Sequence, residues 1–189
     1  MALHSKGIFS AVICLLFSAC VPVTSFAVDV EFTGELLDHP CQIATESLNQ
    51  TLIFKERPIV DFRTVPGRSP VEHFAITLTD CDAHSIWKLV KVKFSGIKEA
   101  EMGAESDYFL AMGAGGNQGK LAIGLLDTDG ATPLKLGEAH NSSKGTMLDS
   151  GSMVLKFGAF VQATPGAIKN NSVVAGEYNS TVNFELFYE

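Results

Sequence analysis

The sequence predicts an all-β sandwich or barrel. Three observations point there. Apolar residues recur with a period of two in several short runs, clusters of Gly, Pro and Asn punctuate those runs, and no segment carries the pattern of a long amphipathic helix.

An export address precedes this pattern. His4 and Lys6 make a short polar start, Ile8 to Val23 is almost wholly apolar and uncharged, and Ser25-Phe26-Ala27 offers small residues where a signal peptidase reads. A signal peptide over 1–27 is predicted, cut between Ala27 and Val28. The apolar run is shorter than the roughly 20 residues a membrane-spanning helix needs. Leu16 to Cys20 resembles a lipoprotein cleavage site that would lipidate Cys20, but Phe17 stands where an aliphatic residue is usual. The cut after Ala27 is therefore preferred. Removing 1–27 takes away one lysine and no acid, so the net charge goes from −7 to −8 over 162 residues. That length suits one domain with a substantial core. An acidic chain without a basic cluster argues against a nucleic-acid partner.

Cys14 and Cys20 leave with the signal. Cys41 and Cys81 remain, an even pair in an exported chain, and a disulfide is predicted. Closing a loop of this length stabilises by roughly 4 kcal/mol in the chain-entropy model. Two cysteines alone cannot make a structural zinc site, so no metal is expected.

The strands follow in order. Val28, Val30, Phe32, Gly34 and Leu36 alternate with polar residues, as do Phe74, Ile76 and Leu78 ahead of Cys81. Leu89 to Phe94 reads as a strand after Trp87, with Lys91 and Lys93 on a solvated face. Leu121 to Leu126 reads as a buried strand, and Val154, Phe157 and Phe160 mark another. Turns are expected at Pro66-Gly67, Gly113 to Gly119, Asp129-Gly130, Pro165-Gly166 and Asn170-Asn171, with a short helical turn around Lys98 to Glu105. The final run alternates most regularly: Tyr178, Ser180, Val182, Phe184, Leu186 and Tyr188 share one face of a strand. An apolar last strand lies either in mid-sheet or at an edge that another chain must cover. A detachable strand at 28–36 and an open edge at the other terminus would together build a head-to-tail filament.

Enzyme motifs are near misses. Ala114 to Lys120 approaches a phosphate loop, but Leu121 replaces the metal-binding hydroxyl. Asp127 to Gly130 lacks the later acidic ligands of a calcium loop. The histidines are scattered, so no catalytic residue and no cofactor is expected.

The chain resembles pilins of the chaperone–usher pathway. The resemblance rests on Gly176 fourteenth from the end, the penultimate Tyr188, the alternation between them, and the Cys41/Cys81 pair. Within that family it is similar to the adaptor, a minor subunit of P pili, through Leu36-Leu37-Asp38, Pro40-Cys41, Pro66 to Pro70, Gly124 to Gly130, Phe157-Gly158-Ala159 and Phe184-Glu185-Leu186. The resemblance implies an incomplete immunoglobulin-like sandwich that lacks its last strand. It divides the chain into a signal peptide (1–27), an N-terminal donor-strand extension (28–36) and a pilin domain (37–189). A periplasmic chaperone lends the missing strand, and at the outer-membrane usher the extension of the next subunit replaces it.

The implied donor residues are Val28, Val30, Phe32, Gly34 and Leu36, with Gly34 where the groove is too shallow for a side chain. The implied groove and chaperone-binding strand comprises Gly176, Tyr178, Val182, Phe184, Leu186, Tyr188 and Glu189, whose terminal carboxylate basic chaperone residues would hold. The implied role is a structural junction between a tip-fibre subunit and a rod subunit, in a fimbrium on the cell surface reached through the periplasm. The alternatives are another minor or rod pilin, or a sugar-binding fimbrial adhesin.

Overall fold

Period-two burial sorts the strands into two layers. In the computed structural model, residues 31–34 and 39–189 are described. The chain divides into two units, 1–36 and 37–189, and the sandwich lies in the second. Its strands are β1 (Gln42–Ile43), β2 (Glu72–Cys81), β3 (Leu89–Ser95), β4 (Phe109–Ala111), β5 (Leu121–Leu126), β6 (Thr146–Met147), β7 (Gly151–Ala163) and β8 (Asn183–Tyr188). A five-stranded sheet runs β1-β2-β7-β5-β4, and a three-stranded sheet runs β6-β3-β8. All pairs are antiparallel. The fold is an immunoglobulin-like sandwich lacking a strand: β8 pairs with β3 on one side and with no strand on the other among the described residues.

The main core sits between the sheets. Val90, Val92 and Phe94 point inward from β3, while Lys91 and Lys93 turn outward. Phe94 packs edge-on against Phe157 at 5.0 Å between ring centroids, and Phe74 stacks on Phe157 at 5.7 Å. The disulfide joins Cys41 to Cys81 and ties β1 to the end of β2.

A second, smaller core lies on the outer face of the large sheet. There a 3-10 segment, Ala100–Tyr108, lays Met102 over Phe109, Ala122, Leu126 and Phe160. Consequently β5 is buried on both faces, and β7 loses its alternation after Phe157. Phe160 lies over Gly124, its partner in register, so closely that a Cβ there would run into the ring. Arg68 covers the other face of Phe160, with its guanidinium 3.3 Å from the ring centroid.

Two expected elements differ. Pro165-Gly166 opens a short helix, α2 (Pro165–Lys169), rather than a turn alone, because the Thr164 hydroxyl accepts the Ala167 N–H and proline stands in the first turn. The final strand is shorter than its alternation suggests, with a ladder only over Asn183–Tyr188. Residues 179–180 are instead drawn toward β4: Gly113 N–H donates to Asn179 O and Ser180 Oγ donates to Ala111 O.

Candidate strand-binding groove

The unpaired side of β8 opens onto an apolar groove of about 1490 Å³ that reaches the main core. This exceeds the roughly 300–1,000 Å³ of typical small-molecule pockets. One wall is Ala175 to Phe184, which takes in only the first two residues of β8, and the other is the stretch from Ile43 to Arg57. Phe74, Ile76, Phe94, Leu110, Ile123 and Leu125 form the floor.

The first wall follows from alternation. Tyr178, Ser180, Val182, Phe184, Leu186 and Tyr188 are half-buried, whereas Glu177, Asn179, Thr181, Asn183, Glu185, Phe187 and Glu189 are exposed. Leu89 and Glu189 exchange both backbone hydrogen bonds. Antiparallel pairs alternate between bonded and non-bonded. The bonded set is therefore Asn183, Glu185, Phe187 and Glu189. The N–H and C=O groups of Phe184, Leu186 and Tyr188 face the open side and offer a ladder to an incoming strand, while their side chains point to the core.

Of the groove residues expected from the sequence, Gly176, Tyr178, Val182 and Phe184 line this wall, whereas Leu186, Tyr188 and Glu189 follow beyond its end. Gly176 sits at the far end with φ +146° and open space around it, so backbone conformation rather than crowding calls for glycine. Tyr178 meets Phe54 of the opposite wall at 6.3 Å. Val182 passes close to Gly96. Phe184 lies 6.4 Å from Phe94 of the floor, and Leu186 packs against the same core. Tyr188 reaches across to β1, where its hydroxyl donates to Cys41 O at 3.4 Å and its ring lies 5.9 Å from His39. Burial pushes the phenols of Tyr178 and Tyr188 up, which keeps both neutral. The Glu189 carbonyl accepts from Lys88 and Leu89 N–H, and its side chain pairs with Lys91 at 2.7 Å.

The opposite wall was not singled out from the sequence. After β1 the chain turns through α1 (Thr45–Leu48) and leaves β2 without a ladder. Side chains take over: Ser47 Oγ accepts Thr77 N–H, and Gln50 Nε2 donates to Ala75 O. Leu52 and Phe54 then turn inward, while Ile53 is 80 % exposed. The alternation Thr51-Leu52-Ile53-Phe54 is the signal that could have found this wall.

Of the expected donor residues, Val28, Val30 and Leu36 lie outside the described residues, as do the signal segment 1–27 and Cys20. Residues 31–34 carry no regular secondary structure; Phe32 is 91 % exposed and Gly34 has open space around it. Among the described residues no group of His, Cys, Asp and Glu could hold a metal ion. None of their helices is long and apolar enough to cross a membrane.

The chain is 45% identical over 174 residues to protein PrsK of Escherichia coli, covering 92% of this chain and 95% of that protein. It is 44% identical, with the same coverage, to the fimbrial adapter PapK of Escherichia coli. A solved structure of a chaperone–usher pilus superposes with a TM-score of 0.66 at 22% identity, covering 89% of this chain and 99% of that one, a likeness of fold. A family model described as fimbrial protein matches residues 30–189. The chain therefore belongs to the fimbrial protein family.

Proposed function

We propose that this chain is a minor structural subunit, the adaptor that joins a tip fibre to a pilus rod, and that it has no enzymatic activity. The open backbone edge of β8 above an apolar groove is the observation that carries this reading, and the similarity to a fimbrial adapter supports the choice of subunit class. In this reading residues 1–27 direct export. A periplasmic chaperone fills the groove with one of its strands, and at the outer-membrane usher the N-terminal strand of the rod subunit takes its place. The chain's own Val28, Val30, Phe32, Gly34 and Leu36 enter the groove of a tip-fibre subunit.

The energetics fit such an exchange. Each apolar side chain buried in the groove contributes roughly 1.5–3 kcal/mol. Three or four give on the order of 5–12 kcal/mol before ordering costs, as much as a domain's net stability. The isolated subunit is then marginal and the assembled one durable.

Periplasmic expression of the mature chain with and without a P-pilus-type chaperone tests this. A soluble one-to-one complex is expected with the chaperone, and loss of the chain without it. A stable folded monomer made alone would refute the missing-strand reading. Pull-down with synthetic N-terminal peptides of tip and rod subunits then tests the junction role: preference for the rod subunit's peptide is expected, and indifference between peptides would favour another minor or rod pilin.

A further inference from the structure

The far edge of β3 is closed in an unusual way. β6 pairs with only Leu89 and Val90, and Ala139 bridges to Lys93. Between them the ladder is completed by one residue, His140, which is fully buried. Its backbone N–H donates to Val92 O at 2.9 Å, and its Nδ1 accepts the Val92 N–H at 2.9 Å. Its Nε2 lies 2.8 Å from Thr146 Oγ1 of β6. Because Nδ1 accepts, the proton of the neutral ring sits on Nε2 and is donated to Thr146. The ring edge packs on Phe157 at 5.9 Å, so the imidazole is part of the core beneath β3.

The turn that follows is held under strain. Asn141, Ser142 and Ser143 all have φ between +52° and +67°, a left-handed run that disfavours residues with a Cβ. Asn141 donates from Nδ2 to Gly145 O and from its N–H to Asp127 Oδ2, and backbone bonds from Ser143 to Ala139, Lys144 to Asn141 and Gly145 to His140 complete the turn.

We infer that His140 is an acid-sensitive latch: the neutral imidazole locks the strained 139–146 turn onto β3, and its protonation releases that turn. A second ring proton would point an N–H at the Val92 N–H and place a charge in the core, leaving a buried donor unpaired. Two charged groups bear on the ring. Asp127, at the end of β5, favours the imidazolium, and Lys91 of β3 opposes it. Burial outweighs both Asp127 and the Val92 backbone carbonyl, which would accept from a charged ring, and holds the imidazole below its ordinary 6.5. An unfolded chain thus takes up this proton first as pH falls. The latch contributes its full stability above pH 6.5, loses it as pH falls through the folded-state value, and changes no further below it. The inference rests on the fold of residues 39–189 and not on the adaptor assignment.

The full chain, recovered from the periplasm with the partner that carries it and labelled with 15N-histidine, tests this by NMR. The expected result is an Nε2–H neutral tautomer of His140 at pH 7 that persists below pH 6.5. On its protonation the amide signals of Val92 and of residues 141–145 should shift together. Titration of His140 at or above 6.5, or titration that leaves those amides unmoved, overturns the latch. In parallel, His140→Asn offers Val92 a non-titrating Oδ1. The wild-type folding constant should fall relative to this variant by up to about tenfold per pH unit between 6.5 and the folded-state value. Parallel pH curves for the two also overturn the latch, and if the variant does not fold, the wild-type NMR titration decides alone.

Discussion

β4 and β8 are both outer strands, yet one is closed and the other open. On the far side of β4, Ile97 to Glu99 fold back: Glu99 N–H donates to Phe109 O at 2.9 Å, Ala111 N–H donates to Ile97 O at 2.7 Å, and Lys98 bridges to Leu110. The Glu99 side chain then caps the 3-10 segment by accepting Glu101 N–H, and that segment seals the small core over Phe160. Nothing comparable covers β8 among the described residues. Its wall residues alternate as regularly as those of any inner strand, but Phe184, Leu186 and Tyr188 stay half-buried, with their backbone groups aimed at the groove. The difference teaches that an edge is made by what returns to it. A few residues of local chain suffice to satisfy β4, whereas β8 receives no strand on its groove side among the described residues.

The largest effect should come from supplying that strand. Fusing residues 28–36 after Glu189 through a flexible linker tests whether the groove accepts a donor of this composition; a gain on the order of 5 kcal/mol over the open chain is expected in urea denaturation. Hydrogen exchange sharpens the contrast. In the fused chain the amides of Phe184, Leu186 and Tyr188, paired only with the added strand, should exchange faster than those of Glu99 and Ala111, which the domain's own chain closes. Equal protection of both edges in the fused chain would remove the distinction drawn between β4 and β8.

Phe160→Ala probes the sealed side. Loss of the ring from between Gly124 and Arg68 should cost about 3–5 kcal/mol in the strand-filled protein, measured by denaturant midpoint. A smaller penalty falls on Gly124→Ala, about 1–3 kcal/mol, because the new methyl displaces the Phe160 ring. The weakest change concerns the outer face of β8. There Lys93 pairs with Glu185, opposite it in register, at 2.7 Å with both side chains partly exposed. A double-mutant cycle should return a coupling of about 0.2–1 kcal/mol that shrinks at high salt. A larger value would make the β3–β8 ladder, rather than the groove contacts, the main support of the open edge.

Much of this was legible in the chain itself. The alternation from Tyr178 to Tyr188 separated the inward from the outward side chains of this run, because a period of two assigns every side chain to a face wherever the strand lies. The cysteine pair, the inner strands β2, β3 and β5, and the approximate place of the 3-10 segment were readable from spacing and composition. The opposite wall was harder to see. Leu52 and Phe54 alternate over too short a run, and the wall has no ladder to mark it as a strand.

What the sequence by itself determined, then, is the fold class, the disulfide and the two faces of the final strand, since these depend on local period and covalent chemistry. The tertiary structure alone decided which edge stays open, that β5 is buried on both faces, and that His140 rather than a strand residue completes β3. Faces are set along the chain, but partners are set across it: hydrogen-bond satisfaction and packing choose among segments far apart in sequence, and no periodicity encodes that choice.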